Sequence, residues 1–373
     1  MIYLDNAATT FPKPRSVIKS TSDCIKRYCG NPARSSHALS LKASEAIYDT
    51  RESVARLLGI NCAENVVFTL NATYALNLAI KTTVPHNSHV IISDCEHNSV
   101  LRPLVSLKER LGVEYSLFDS GAKDIEQEIR SHIRENTRAI ISTVTSNVTG
   151  QRIPLEPLSR LRSELGLSLI IDASQAIGHF NIDLTKTPCD VLCAPGHKAL
   201  FGIQGCGFAV FCDNRSRESF IEGGSGSDSK NIHMPSVLPE RFEAGTLPTP
   251  SIVSLGAGIK YINNIGIEHI ESKMEALENT FADMISGFKR VKIYGKGTGI
   301  ISFDYEGISS SALAYKMGEF GVCVRGGLHC APLTHKKLGT SERGLLRVSF
   351  SSLNTKKDLE EAYKCLKAIF ATV

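Results

Sequence analysis

The chain reads as an α/β protein, a mostly parallel seven-stranded sheet covered by helices and followed by a smaller α+β unit. Three observations predict this. Between about residues 64 and 212, seven short apolar runs alternate with amphipathic stretches, the pattern of strands joined by crossover helices. Polar residues with catalytic character fall at the ends of those runs, where ligands collect in such sheets. After about residue 255 the alternation gives way to long helical spacing with fewer strands.

The elements follow in order. Ala46, Ile47, Val54, Leu57 and Leu58 have helical spacing over residues 44–58, and Gly59 stops that helix. The strands are expected at residues 66–70, 90–93, 113–118, 139–144, 167–171, 191–194 and 208–211, with helices at 99–111, 124–133 and 156–165. Asn71-Ala72-Thr73 opens a further helix after the first strand. Residues 223–229 are rich in Gly and Ser and read as a mobile loop. A long helix at 265–284, strands near 291–293 and 299–303, an apolar strand around Arg347 and a last helix at 357–369 complete the chain. At 373 residues two domains are expected. The larger spans residues 13–255, and the smaller combines 1–12 with 256–373.

Composition removes several classes. Hydrophobic content of 42% and charged content of 21% are ordinary for a globular protein, and the net charge of +4 is spread thinly. No basic tract of nucleic-acid type is present, and no apolar run approaches the roughly 18 residues of a membrane span. The start, Met1-Ile2-Tyr3-Leu4-Asp5, lacks the pattern of a signal peptide. The eleven cysteines are therefore expected to be reduced thiols of a cytoplasmic protein. Cys189, Cys193, Cys206, Cys212 and Cys365 sit in apolar runs without the paired spacing of a zinc site, so no metal is expected.

The chemistry concentrates in a few residues. Lys198 follows an apolar strand in Pro195-Gly196-His197-Lys198, and Asp172 ends another, with Gln175 just beyond. A lysine amine and a carboxylate at neighbouring strand ends suit pyridoxal 5'-phosphate: the amine binds its aldehyde, and the carboxylate keeps the ring nitrogen protonated. Asp172 could equally cap the turn that follows it. His97, after the second strand, could stack on such a ring and shuttle protons, or be a hydrogen-bonded loop residue. The helix opening at Ala72 and Thr73 suits a phosphate and also suits a plain cap. Arg347 interrupts an apolar strand, so it needs a partner, either a substrate carboxylate or an interdomain carboxylate. Cys330 lies in Arg325-Gly326-Gly327-Leu328-His329-Cys330-Ala331. The Gly pair implies a bent or mobile loop, and Arg325 and His329 are cations or proton acceptors that would favour a thiolate.

Taken together these residues resemble the class V aminotransferases, specifically the SufS-like (group II) cysteine desulfurases, which overlap selenocysteine lyases. The resemblance covers essentially the whole chain. It runs through Tyr3-Leu4-Asp5-Asn6-Ala7-Ala8, Thr145-Ser146-Asn147-Val148-Thr149-Gly150, Asp172-Ala173-Ser174-Gln175-Ala176, Gly196-His197-Lys198, Arg241-Phe242-Glu243-Ala244-Gly245-Thr246 and the Cys330 segment, which fits an Arg-x-Gly-x-His-Cys-Ala pattern. It implies a fold type I pyridoxal phosphate enzyme and a homodimer. His97 would lie over the ring, Asn147 and Gln175 near the ring oxygen, and Asp172 at the ring nitrogen. Thr73 and His197 would hold the phosphate, with Thr246 arriving from the partner subunit. Arg347 would hold the substrate carboxylate, and His37 in Arg34-Ser35-Ser36-His37 would stand near the substrate entrance. Two positions depart from the pattern: Pro195 where a serine phosphate ligand is usual, and Asn71-Ala72-Thr73 where Gly-Thr-Thr is common.

The implied activity is conversion of L-cysteine to L-alanine. Cys330 keeps the sulfur as a persulfide and passes it to an acceptor protein for iron–sulfur cluster or thio-cofactor assembly. Selenocysteine lyase, another reaction of the same fold such as transamination or racemisation, and a non-catalytic sulfur-carrier scaffold are the rival readings.

Overall fold

The seven apolar runs form one sheet in the computed structural model, which describes residues 1–32, 36–227 and 230–372. Arg34 and Ser35 of the His37 motif, and Asp228 and Ser229 of the Gly/Ser-rich loop, lie outside the described residues. Across the sheet the strand order is Val66–Thr69, Gly207–Phe211, Val191–Pro195, Ser168–Asp172, Thr137–Thr143, His89–Ser93, Glu114–Phe118. Only Gly207–Phe211 runs against its neighbours. It follows Val191–Pro195 without a crossover helix, and a return without a crossover gives an antiparallel pair.

Alternation within each strand fills both faces. Ile91, Ile140, Leu169, Ile171, Leu192 and Val210 point to one side, with helices Ala38–Leu57, Leu155–Leu165 and Thr249–Ile265. Val90, Ile92, Ile141, Ile170, Val191 and Phe211 point to the other, against helices Ala72–Thr83 and Asn98–Leu111. Central strands apolar on both faces are what a doubly covered sheet requires.

The C-terminal part carries a four-stranded antiparallel sheet, ordered Arg325–Gly327, Leu345–Ser349, Ile300–Tyr305, Val291–Gly297. The first residues pack with this part: Ile2–Tyr3 and Val322–Cys323 form a separate two-stranded parallel sheet, and Asp5 bridges Ser349 of the larger one. The helix expected at 265–284 is found as Ile267–Ser286, and an unanticipated helix, Thr249–Ile265, precedes it. Gly266, at φ +90°, separates them, a conformation that side chains resist. Helix Thr249–Ile265 runs uninterrupted through residue 255. The helix expected from residue 44 begins at Ala38. Helices Arg15–Arg27, Ser310–Glu319 and Pro332–Leu338 were not anticipated. Among the described residues no helix is long and apolar enough to cross a membrane, and no group of three His, Cys, Asp or Glu is placed to hold a metal ion.

Candidate active site

At the carboxyl ends of the central strands lies a cavity of about 220 Å³. Lys198, Asp172, Gln175, His97, Asn147, Ala72, Thr73, His197 and Arg325 all line it, together with Ser99 and His329. Strand register explains the convergence. Asp172 ends Ser168–Asp172, beside Cys193 on the next strand and Thr143 on the other side. Lys198 and His197 follow the strand holding Cys193, and His97 follows His89–Ser93 one strand beyond Thr143.

Burial sets the protonation states. Desolvation pushes the Lys198 amine down to about 8, opposed by the nearby Asp172 carboxylate and aided by Arg347 and Arg325. Burial also brings His197 down to about 4, and its Nδ1 lies 3.1 Å from Thr9 Oγ1. His97 is lowered chiefly by burial, with Asp172 pulling the other way. Its Nδ1 accepts the Ser99 N–H at 3.0 Å and lies 2.8 Å from Ser99 Oγ. That assigns the neutral ring's proton to Nε2. Asp172 is 3% exposed, and one of its oxygens accepts the Ser174 N–H at 2.9 Å. The capping reading is thus met, and the carboxylate still lines the cavity.

Ser99 is the residue that sequence reasoning missed. Its hydroxyl lies 2.8 Å from Thr73 Oγ1 as well as touching His97. The phosphate-type corner therefore holds two hydroxyls from two helix starts: Thr73 on the helix capped by Asn71, whose side chain accepts the Tyr74 N–H at 2.9 Å, and Ser99 on helix Asn98–Leu111. Pro195, where a serine is usual, also lines the cavity and offers neither an N–H nor a hydroxyl. The only trace of Ser99 in the sequence was its place at the start of the helix expected at 99–111. Gln175 donates its amide to Ala7 O at 2.9 Å, tying the N-terminal segment over the site. A second unforeseen residue is Glu96. Fully buried, it accepts from Ser93 Oγ and from the Thr143 N–H at 2.8 Å, and burial raises it to about 8.

Four expected site residues stand outside the cavity lining. Arg347, 1% exposed, gives Nη2 to Asp5 at 3.0 Å and Nη1 to Asn147 O at 2.9 Å. The ion pair with Asp5 joins two segments of the expected smaller domain, so it is not the interdomain pair, and the cross-strand neighbour of Arg347, Arg325, reaches the cavity. Thr246 is exposed. His37 is exposed and caps helix Ala38–Leu57, accepting the Ser40 N–H at 3.2 Å. Cys330 is exposed beside the lining residue His329.

The Cys330 segment corrects two expectations. Gly326 belongs to a strand paired with Leu345–Ser349, and a Cβ there would run into the Ser310 carbonyl. Close packing, more than mobility, accounts for that glycine. His329 is no cation: it is 4% exposed, its Nε2 lies 3.0 Å from Leu345 O, and burial pushes it down to about 2. The thiol itself sits in a tight turn, with His329 at φ +50° and Cys330 at φ +58°. Such left-handed conformations are costly for side-chain-bearing residues. Asn147 Nδ2 on His329 O at 2.7 Å, and Asn98 N on Cys330 O at 2.8 Å, hold the turn to the large sheet.

The residue set fits pyridoxal phosphate: a desolvated amine, a buried carboxylate, a neutral histidine of fixed tautomer and a hydroxyl-bearing helix N-terminus share one cavity. Comparison with known proteins agrees. The model of the class V aminotransferases matches residues 2–361. A probable cysteine desulfurase of Methanothermobacter thermautotrophicus is 30% identical, over 99% of this chain and 94% of its own. One of Aeropyrum pernix is 31% identical, over 100% and 95%. The apo structure of a cysteine desulfurase from Thermococcus onnurineus superposes with a TM-score of 0.92 at 27% identity, covering 100% of this chain and 95% of that one. With a family match along nearly its whole length and a fold and strand-end site of the corresponding kind, this chain belongs to the class V aminotransferase family.

Proposed function

We propose that the protein is a pyridoxal phosphate-dependent cysteine desulfurase. The observation that carries the reading is one cavity joining Lys198, Asp172 and His97, with the exposed Cys330 thiol one residue from its rim. Bound there, pyridoxal phosphate would supply an electrophilic aldehyde and a protonated ring that accepts electron density from the substrate carbon. Lys198 would hold the aldehyde, and its desolvated amine is the base placed to take the Cα proton. Asp172 would keep the ring nitrogen protonated. His97, with its proton on Nε2, and Asn147 and Gln175 would contact the ring and its hydroxyl. Ala72, Thr73, Ser99 and His197 would hold the phosphate. Arg325 is the cavity-facing partner for the substrate carboxylate, and Arg347 stands behind it on Asp5. The Cys330 thiolate attacks the substrate sulfur. A new S–S bond forms as the substrate C–S bond breaks; the electron pair stays with the three-carbon skeleton, which takes up protons and leaves as alanine.

The reading extends to assembly. Thr246 is exposed and lies outside its own chain's cavity lining, as contribution to a second copy's site requires, and His37 would stand at the mouth of that shared site. We assign residues 13–255 to the cofactor-binding domain and 1–12 with 256–373 to the smaller one. That division is supported by the separate sheets and by the pairing of Ile2–Tyr3 with Val322–Cys323. The persulfide then passes to a sulfur-acceptor protein of the cytoplasm. Incubation with L-cysteine and a reductant tests the reaction: alanine and sulfide in equal amounts are expected. Pyruvate or D-cysteine as the sole product would point to another reaction of the fold.

A further inference from the structure

Beneath Cys330 lie two buried histidines with complementary loose ends. His329 and His335 are 4% and 0% exposed, and their ring centroids are 5.8 Å apart. Each is tied on one side only. His329 Nε2 meets Leu345 O, so that nitrogen carries the proton and Nδ1 offers a bare lone pair. His335 Nδ1 lies 2.8 Å from Thr340 Oγ1, and Thr340 is itself 1% exposed. When the Thr340 hydroxyl donates, the His335 proton sits on Nε2. The two nitrogens left over, His329 Nδ1 and His335 Nε2, are both buried without a protein partner among the described residues. One is then an acceptor and the other a donor, on rings 5.8 Å apart that make no direct hydrogen bond and are near enough for one solvent molecule to bridge them. Burying two unpaired ring nitrogens is otherwise unfavourable, because each loses its hydrogen bonds to water without replacement.

We infer that His335 is a positioning residue for the Cys330 thiol, acting through the ring of His329. His335 fixes that ring on Leu345 O, and the ring fixes the backbone of the left-handed turn that begins at His329 and presents Cys330. Released from His335, the ring can swing and the turn can relax toward an unstrained conformation, taking the thiol away from the cavity rim. This rests on Cys330 being the sulfur acceptor, but the positioning itself can be read without any turnover.

The test pairs His335→Leu, which fills similar space without a donor, with His335→Gln, which keeps an N–H. Trace iodoacetamide labelling followed by peptide mapping gives the rate at Cys330 relative to Cys62, an exposed thiol elsewhere in the chain. Desulfurase kcat and KM are measured in parallel. In His335→Leu the relative Cys330 labelling rate should change, and kcat should fall, by about fivefold, the size of one lost hydrogen bond; KM for cysteine should hold. His335→Gln should stay near wild type in both. Equal behaviour of the two variants would overturn the inference, since it would reduce His335 to packing. Should labelling of the buried Cys193 reveal that His335→Leu is unfolded, Thr340→Val, which frees the His335 tautomer, must reproduce the altered Cys330 labelling; wild-type labelling there would equally overturn it. If the wild type released no alanine from cysteine, the desulfurase reading would fail while the labelling comparison still decided the role of His335.

Discussion

The two halves of the site are built in opposite ways. Lys198, Asp172 and His97 stand at the ends of buried parallel strands, where register alone brings them together. Cys330 stands on a turn with two consecutive left-handed residues, exposed, held by hydrogen bonds to Asn147 and Asn98. The rigid half suits groups that must keep their alignment on a bound ring. The turn suits the proposed nucleophile, which would meet a substrate and afterwards a second protein. Position in the fold, and not residue chemistry alone, separates the groups proposed to handle protons from the one proposed to handle sulfur.

If that division holds, damage on the strand-end side should be the more severe. Lys198→Ala should abolish covalent cofactor attachment and lower alanine formation by roughly 10²–10⁴, the span for losing a general base. Retention of a normal visible absorption band that shifts with pH would place the attachment elsewhere. Asp172→Asn should keep the cofactor yet lose about 10²–10³ in turnover, the scale of one preorganised electrostatic partner; near-normal turnover would assign the ring nitrogen's partner to another group. Arg325→Ala should raise KM for cysteine by about 10- to 100-fold, the worth of a hydrogen bond to a charged group. Arg347→Ala should act first on stability, because it leaves Asp5 without its guanidinium and breaks the link to Asn147. A thermal midpoint unchanged in Arg347→Ala, with a raised KM, would reverse these two assignments.

The smallest effect sharpens the comparison through pH. Burial holds the Lys198 amine at about 8 against an ordinary value of 10.5. Below pH 8 the amine is protonated and cannot attack an aldehyde. Recombination of cofactor-free protein with pyridoxal phosphate should therefore accelerate about tenfold per pH unit up to pH 8 and level off above it. A rise continuing to pH 10 would mean that Lys198 is not desolvated in the free protein.

The sequence made the sheet legible because its strands are short, apolar and bounded by turn residues, and both faces are covered. Asp172, Lys198 and His97 were legible for the same reason: strand ends are readable, and parallel sheets gather them. The rest depended on contacts far apart in the chain. Nothing near Arg347 in sequence announces Asp5, and nothing near Ser99 announces Thr73. His329 read as a possible cation because burial is invisible in a motif. The Gly326-Gly327 pair read as a bent or mobile loop; Gly327, at φ +115°, keeps a bend, whereas the close approach of Gly326 to Ser310 needs coordinates. Helix Thr249–Ile265 went unread because it is buried almost all round and so shows little of the polar-face periodicity that marks a surface helix.

The central claim is that Cys330 takes the sulfur, and mass analysis of the protein after brief exposure to L-cysteine without reductant tests it most directly. The wild type should carry one extra sulfur atom on the peptide containing Cys330. Cys330→Ser should bind cofactor and substrate but carry none, and should release no alanine at the wild-type rate, because a serine hydroxyl stays protonated and is a poor sulfur acceptor. Extra sulfur on a different cysteine, or full alanine release by Cys330→Ser, would contradict the account.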